Sequence, residues 1–187
     1  MDEKLTSSLR EGEKVLWQSK AEPIQTLDNT TKKRFWITLA VCVATFAVLT
    51  VLYATNVKAE PRPAVYVILF VLCAFAPLRR FLDARDIRKL NYVVTDQRLL
   101  IVSGDVKGVD LARVKEAALR TDADGHLSLL VGSHGVKARP SHWRDLALTG
   151  VPSVSDADEP VDSFGYYAVA DKAGLEQVLK QVLPCLK

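Results

Sequence analysis

The chain has 187 residues, and its 25 Lys and Arg against 22 Asp and Glu leave a formal charge of only +3 at pH 7. That balance gives no sign of a nucleic-acid partner, because the positive charge is concentrated beside two apolar runs and not on one broad face. The three cysteines, Cys42, Cys73 and Cys185, show neither metal-ligand nor disulfide spacing, which suits a reducing compartment and a packing role.

A charged leader, residues 1–34, precedes the first apolar run. Within it Trp17 is open to two placements, the membrane interface or the surface of a domain. The run Phe35–Tyr53, FWITLAVCVATFAVLTVLY, holds no charged residue and as a helix would be roughly 28 Å long, the thickness of a bilayer's hydrocarbon core. The second run, Ala64–Leu78, is marginal at about 15 residues, but Arg79 and Arg80 can snorkel and extend it to Phe81 and Leu82. A buried core helix stays open for this second run. The link Asn56-Val57-Lys58-Ala59-Glu60-Pro61-Arg62-Pro63 is short and Pro-punctuated. The expected unit is therefore a two-helix transmembrane hairpin over 35–82.

Charge orients it. Lys32, Lys33 and Arg34 precede the first run, and Arg79, Arg80, Arg85, Arg88 and Lys89 follow the second, whereas the link carries only Lys58 and Arg62. The bias places both termini in the cytoplasm, in a multi-pass inner-membrane arrangement, with Trp36 and Tyr53 as interfacial anchors. A cleaved signal peptide competes with this reading, but the long charged leader and the second apolar run weigh against it. Neither run contains an ionisable residue, so the pair reads as an anchor and not a transport path.

From Asn91 onward the pattern turns to short β runs. Tyr92–Thr95 and Leu99–Val102 flank the turn Asp96-Gln97-Arg98; a third run spans Val109–Val114, a fourth, Glu116–Thr121, is ambiguous between strand and helix, and Leu127–Val131 follows the turn Asp122-Ala123-Asp124-Gly125. Residues 132–163 read as a flexible loop, most clearly Ser153–Pro160, with Trp143–Leu148 as a helical turn or an interfacial contact. Strand returns at Phe164–Val169. The chain closes with an amphipathic helix: Asp171 is the N-cap, and Leu175, Val178, Leu179, Val182 and Leu183 form its apolar stripe. The fold class is α+β, with an antiparallel domain over 83–187.

The segment Tyr92-Val93-Val94-Thr95-Asp96-Gln97-Arg98-Leu99-Leu100-Ile101-Val102, followed by Gly104, resembles the opening hairpin of bacterial pleckstrin-homology-like (PH-like) domains. The stretch Leu9–Trp17 resembles the segment found before the membrane spans of such proteins, and Phe164–Leu183 is similar to their C-terminal end. The resemblance implies a seven-stranded PH-like β roll with a C-terminal helix, facing the cytoplasm and without catalytic residues. The fold serves lipid, peptide and self-association alike, so it does not choose among them. Eukaryotic phosphoinositide-binding versions carry several bases around the first hairpin loop. Here Arg98 stands alone beside Asp96, which counts against that use.

Candidate contacts follow. Arg79, Arg80, Arg85, Arg88 and Lys89 are candidate lipid-headgroup residues, with topology setting as the competing role. Trp143, Tyr166 and Tyr167 are candidates for a partner surface. His126, His134 and His142 lack ligand spacing and read as solvated loop residues. No nucleophile elbow or phosphate loop is present, so no catalytic, cofactor or metal residue is assigned. The expected function is a membrane-tethered, non-catalytic binding or assembly module. Its partners would be the bilayer, a membrane-associated protein or a second copy of the chain. An anionic-lipid surface sensor is the alternative, and a membrane enzyme the third.

Overall fold

The computed structural model describes residues 3–25, 27, 29–56, 63–149 and 161–186. It is an α+β structure with two antiparallel sheets. The first has the order β1 (Val15–Lys20), β2 (Asn91–Thr95), β3 (Arg98–Val102) and β4 (Val106–Asp110); the second has β5 (Ala117–Thr121), β6 (Leu127–Val131) and β7 (Phe164–Tyr166). The helices are α1 (Glu3–Ser8), α2 (Asn29–Asn56), α3 (Pro63–Ile87), α4 (Ser133–Lys137), α5 (Pro140–Thr149) and α6 (Lys172–Val182).

The leader supplies a strand that the sequence reading does not anticipate. β1 pairs antiparallel with β2, Gln18 opposite Val93 and Lys20 opposite Asn91. The amide of Ala21 donates to the carbonyl of Leu90 at 3.0 Å, so the chain leaves and re-enters the sheet at almost one point. Helices α2 and α3 are thus an insertion into the connection between two neighbouring strands. A bulge between Val15 and Trp17 shifts the register of β1, so Val15 packs towards the α1 side while Trp17 enters the main core.

Tyr92 and Val94 of β2 point into the main core, whereas Val93 joins Leu100 and Val102 on the opposite face. That second face is covered by α1, whose Leu5 is fully buried there. Covering both faces explains why β2 and β3 read as continuous apolar runs. Across the core the ring of Tyr92 stacks on Tyr166 with centroids 4.6 Å apart. Tyr92 Oη donates to the Tyr167 carbonyl, and Tyr166 Oη donates to the Val93 carbonyl, both at 2.7 Å. These bonds satisfy hydroxyls that burial would otherwise penalise, and they tie the two sheets together.

Helix α2 contains the stretch Thr31–Thr55, which is long and apolar enough to cross a membrane; only 6% of its most apolar window is buried within the protein. The segments Pro63–Phe75 and Pro77–Ile87 of α3 meet that standard only together, across a 41° bend. Pro77 lacks the amide that would complete the helix ladder and its ring crowds the preceding turn, which accounts for a bend there. α2 and α3 pack through Phe46 on Phe70 and Tyr53 on Tyr66, each edge to face. The end of α3 then enters the domain, burying Ala84, Ile87 and, just beyond it, Leu90.

Several expectations change. The third strand lies at Val106–Asp110, and Leu111–Arg113 form a 3-10 turn. Residues expected as loop include both α4 and α5, since Pro140 starts a helix well and Trp143 and Ala147 supply a buried stripe. Ser153–Pro160 lies outside the described residues. Phe164–Val169 is buried throughout, because the first sheet covers one face and α5 the other.

Candidate functional site

Helix α5 packs between the domain and the apolar helices, against β7 on one side and α2 and α3 on the other. Arg34, near the start of α2, donates to the Ser141 carbonyl at 3.0 Å and to Asp145 Oδ2 at 3.1 Å. At the other end of α5, Lys107 of β4 donates to the Leu148 carbonyl at 2.8 Å. Arg144, nearly fully buried, donates to the Gln25 carbonyl at 2.9 Å and places its guanidinium 5.6 Å from the centre of the Tyr167 ring. Each bond is made by a side chain whose charge is already committed to this junction.

Between α3 and α5 a groove opens beside the exposed apolar surface. One lobe, about 610 Å³, reaches Ser103 and Gly104 in the β3–β4 turn; the neighbouring lobe, about 400 Å³, reaches Thr38 of α2. Both lobes share Phe75, Arg79, Asp83, Leu148 and Thr149. Arg79 is 66% exposed, and its closest carboxylate is Asp83 Oδ1 at 3.9 Å, one turn further along α3. Lys89 also lines the groove and is held by Asp86 at 2.8 Å. The walls therefore combine apolar side chains with both signs of charge, a lining suited to an amphiphile.

The five candidate bases do not act as one patch. Arg79 and Lys89 face the groove. Arg88 donates to the Ile24 carbonyl at 2.6 Å and so serves the fold. Arg85 is exposed and does not line the groove, and the side chain of Arg80 lies outside the described residues. The aromatic candidates are placed in the core: Trp143, Tyr166 and Tyr167 are 3%, 1% and 0% exposed. Trp143 donates to the Ala138 carbonyl at 3.0 Å, and Tyr167 Oη donates to Asp122 Oδ2 at 2.9 Å. They are internal ties and offer no face to a partner.

The Asp122 carboxylate organises its turn. Its Oδ1 accepts from the amides of Asp124 and His126, both at 2.9 Å, while Oδ2 takes the tyrosine hydroxyl. Burial pushes the Tyr167 hydroxyl well above its ordinary pKa, against the opposing pull of Arg144. His126 is not a solvated histidine: its side chain is 14% exposed and Nδ1 lies 3.1 Å from Glu22 Oε2. Nothing in the sequence neighbourhood of His126 points to Glu22, because the contact depends on β1 returning past the β5–β6 turn. The groove was equally hidden, since its acids Asp83 and Asp145 come from separate elements. A signal did exist for α5, in Pro140 at the first helical position and the spacing of Trp143, Leu146 and Ala147.

The chain matches no protein-family model, no curated protein and no solved structure.

Proposed function

We propose that this chain is a membrane-tethered, non-catalytic binding or assembly module. In this reading α2 and α3 form a transmembrane hairpin, and the seven strands with α6 form a PH-like roll on the cytoplasmic side. One observation carries it. Apart from Leu16, every large apolar side chain exposed among the described residues lies on α2 or α3. Soluble surfaces rarely present so large a continuous apolar area, and a bilayer is the solvent that removes its cost. The near absence of burial along the apolar window of α2 weighs against its being a core helix. The sheet order of four strands and then three, closed by a C-terminal helix, supports the roll. Lys32, Lys33 and Arg34 on one side and Arg79, Arg85 and Arg88 on the other support cytoplasmic termini.

Tethering concentrates the domain for membrane-associated partners, to roughly millimolar effective levels for a short connection. The insertion of α2 and α3 between β1 and β2 adds a fixed orientation, because two strands and the Ala21–Leu90 hydrogen bond hold the neck. A protein partner or a second copy would meet a domain whose angle to the membrane is set. Reporter fusions at Glu60 and at the C-terminus test the topology. The expected result is an external Glu60 and a cytoplasmic C-terminus. An external C-terminus, or extraction of the chain by alkaline carbonate, overturns the proposal.

A further inference from the structure

We propose that the last turn of α5, with the β3–β4 turn beside it, enters the leaflet on the domain side, so that lipid acyl chains fill the groove between α3 and α5. This inference rests on the membrane-anchor reading above and names the part of the domain that meets lipid. Depth along α2 carries it. Arg34, the last base before the apolar run, is bonded to the Ser141 carbonyl at 3.0 Å and to Asp145 at 3.1 Å, at the start and middle of α5. Thr38 stands one turn further into the run, about 6 Å along the helix axis, and it shares one lobe of the groove with Phe75, Leu148 and Thr149. α5 therefore descends as it runs, and its last turn lies level with side chains of the span. Phe75 is 61% exposed, so the apolar surface of α3 continues into that lobe. The neighbouring lobe extends it to Ser103 and Gly104.

The polar groups at this level are satisfied in the way an apolar layer demands. Thr38 Oγ1 donates to the Arg34 carbonyl at 2.9 Å and Thr149 Oγ1 to the Asp145 carbonyl at 2.6 Å, so each hydroxyl is turned back onto its own helix. Lys107 takes up the Leu148 carbonyl, which the end of α5 would otherwise leave open. Asp145 is paired with Arg34, and Asp86 with Lys89 at 2.8 Å. Arg79 lies 3.9 Å from Asp83 and is 66% exposed, and its long stem lets the guanidinium reach back to the headgroups. Pairing lowers the cost of bringing such charges to the low-dielectric edge of a bilayer. With its charges already matched, the lining fits acyl chains and the layer just above them, and calls for no particular headgroup.

The test uses the full chain. Flotation with phosphatidylcholine vesicles first reports insertion. In a Cys42→Ala, Cys73→Ala, Cys185→Ala background, a small fluorophore is then attached at one position at a time: Thr149→Cys, Thr38→Cys, Val43→Cys or Lys180→Cys. Vesicles carrying a nitroxide at the headgroup, near the top of the acyl chain or near its end give the depth of each label. The expected result is a Thr149 label quenched most by the nitroxide near the top of the chain, within about 5 Å of the depth of the Thr38 label, one helical turn. Lys180, exposed on α6, should be quenched by none, and Val43, exposed on α2, by the nitroxide near the chain end. Ser103→Cys, in the adjoining turn, should respond to the same nitroxide as Thr149 and decides the question if the Thr149 label disturbs α5. Quenching of both by the headgroup nitroxide alone, or no more than at Lys180, overturns the insertion while a quenched Val43 keeps the anchor. A Val43 label reached by no nitroxide, or failure to float, overturns the anchor, and the insertion with it.

Discussion

The indole Nε1 of Trp17 donates to Asp171 Oδ2 at 2.8 Å, across 154 residues of sequence. The same carboxylate caps α6, its Oδ1 accepting from the Gly174 amide at 3.0 Å. One side chain thus joins the strand before the apolar helices to the last helix of the domain. The Trp17 hydrogen bond, then the Gly174 amide, hold the Asp171 carboxyl below its ordinary range. Trp17→Phe should lower the melting midpoint by a few degrees, and Asp171→Ala by more, because it also removes the cap. The double variant should fall short of the sum of the two, since both singles break one shared bond. Thermal melts of the full chain followed by circular dichroism measure this; strict additivity would reject the coupling.

A second long-range tie makes stability depend on acid. Glu13 accepts from Arg98 Nε at 3.0 Å, Thr95 Oγ1 at 2.7 Å and the Arg10 amide at 2.8 Å. Burial works to raise its pKa, but these bonds and the Arg98 charge outweigh it and hold the carboxyl at about 2, against an ordinary 4.5. Between those values the unfolded chain binds more protons than the folded one, so stability rises with pH across that window. The contribution, about 3 kcal/mol, is complete above pH 4.5 and lost as pH falls towards 2. The gap in unfolding free energy between the parent and Glu13→Gln should therefore shrink from pH 7 to pH 3. A gap of constant size would rule out the linkage.

Alkali should act through the buried tyrosines. Burial raises the pKa of Tyr92, Tyr166 and Tyr167 far above the ordinary value of 10.0. Above that value the unfolded chain loses protons that the native chain keeps, so stability falls as pH rises. With all three ionised only in the unfolded state the slope approaches about 4 kcal/mol per pH unit. Phenolate absorbance from these three should appear in one step with loss of near-ultraviolet dichroism. Gradual ionisation while that dichroism persists would show that they are not sealed.

Gly132 and Gly125 separate backbone strain from crowding. Both have positive φ, +87° and +84°, but a Cβ at Gly125 meets open space while one at Gly132 would strike the carbonyl oxygens of Val161 and Asp162. Gly125→Ala should cost about 1–2 kcal/mol, the left-handed penalty alone. Gly132→Ala should cost on the order of 3 kcal/mol or more, because the turn from β6 into α4 must also move. Denaturant titration of both variants checks the order, and equal costs would contradict the close approach.

How much of this was legible depends on where each signal resides. β2, β3, β6 and α6 follow from runs of apolar residues bounded by Asp, Asn and Gly, a local signal that tertiary packing reinforces. β1 escaped because its apolar residues Val15, Leu16 and Trp17 are consecutive in the sequence, so the exposed Leu16 hides the alternation that would reveal a strand. The strand expected over Phe164–Val169 ends at Tyr166, with Ala168 at a positive φ of 53°, and alternation could not show that α5 packs against it. Tyr167 therefore looked available for a partner when it is an anchor for Asp122. The groove was least legible of all: Arg79 was visible as a base near an apolar run, but its neighbour Asp145 arrives from a helix packed by Arg34, with no pattern linking them.

The pairing of α2 and α3 can be read through native thiols. Cys42 and Cys73 line one apolar groove of about 230 Å³ between the two helices, with Phe46, Phe70 and Pro77 around them. Small side chains at such a seam let helices approach closely in lipid, where packing replaces the hydrophobic effect. In a Cys185→Ser background, a short membrane-permeant bis-maleimide should join Cys42 to Cys73 within one chain. Trypsin cleavage at Lys58 would then leave the two helical fragments covalently linked. Replacing either cysteine with Ala should abolish the link and leave flotation unchanged. Fragments that separate after treatment would refute the packing, whereas a linked product of twice the mass would place this seam between two copies of the chain.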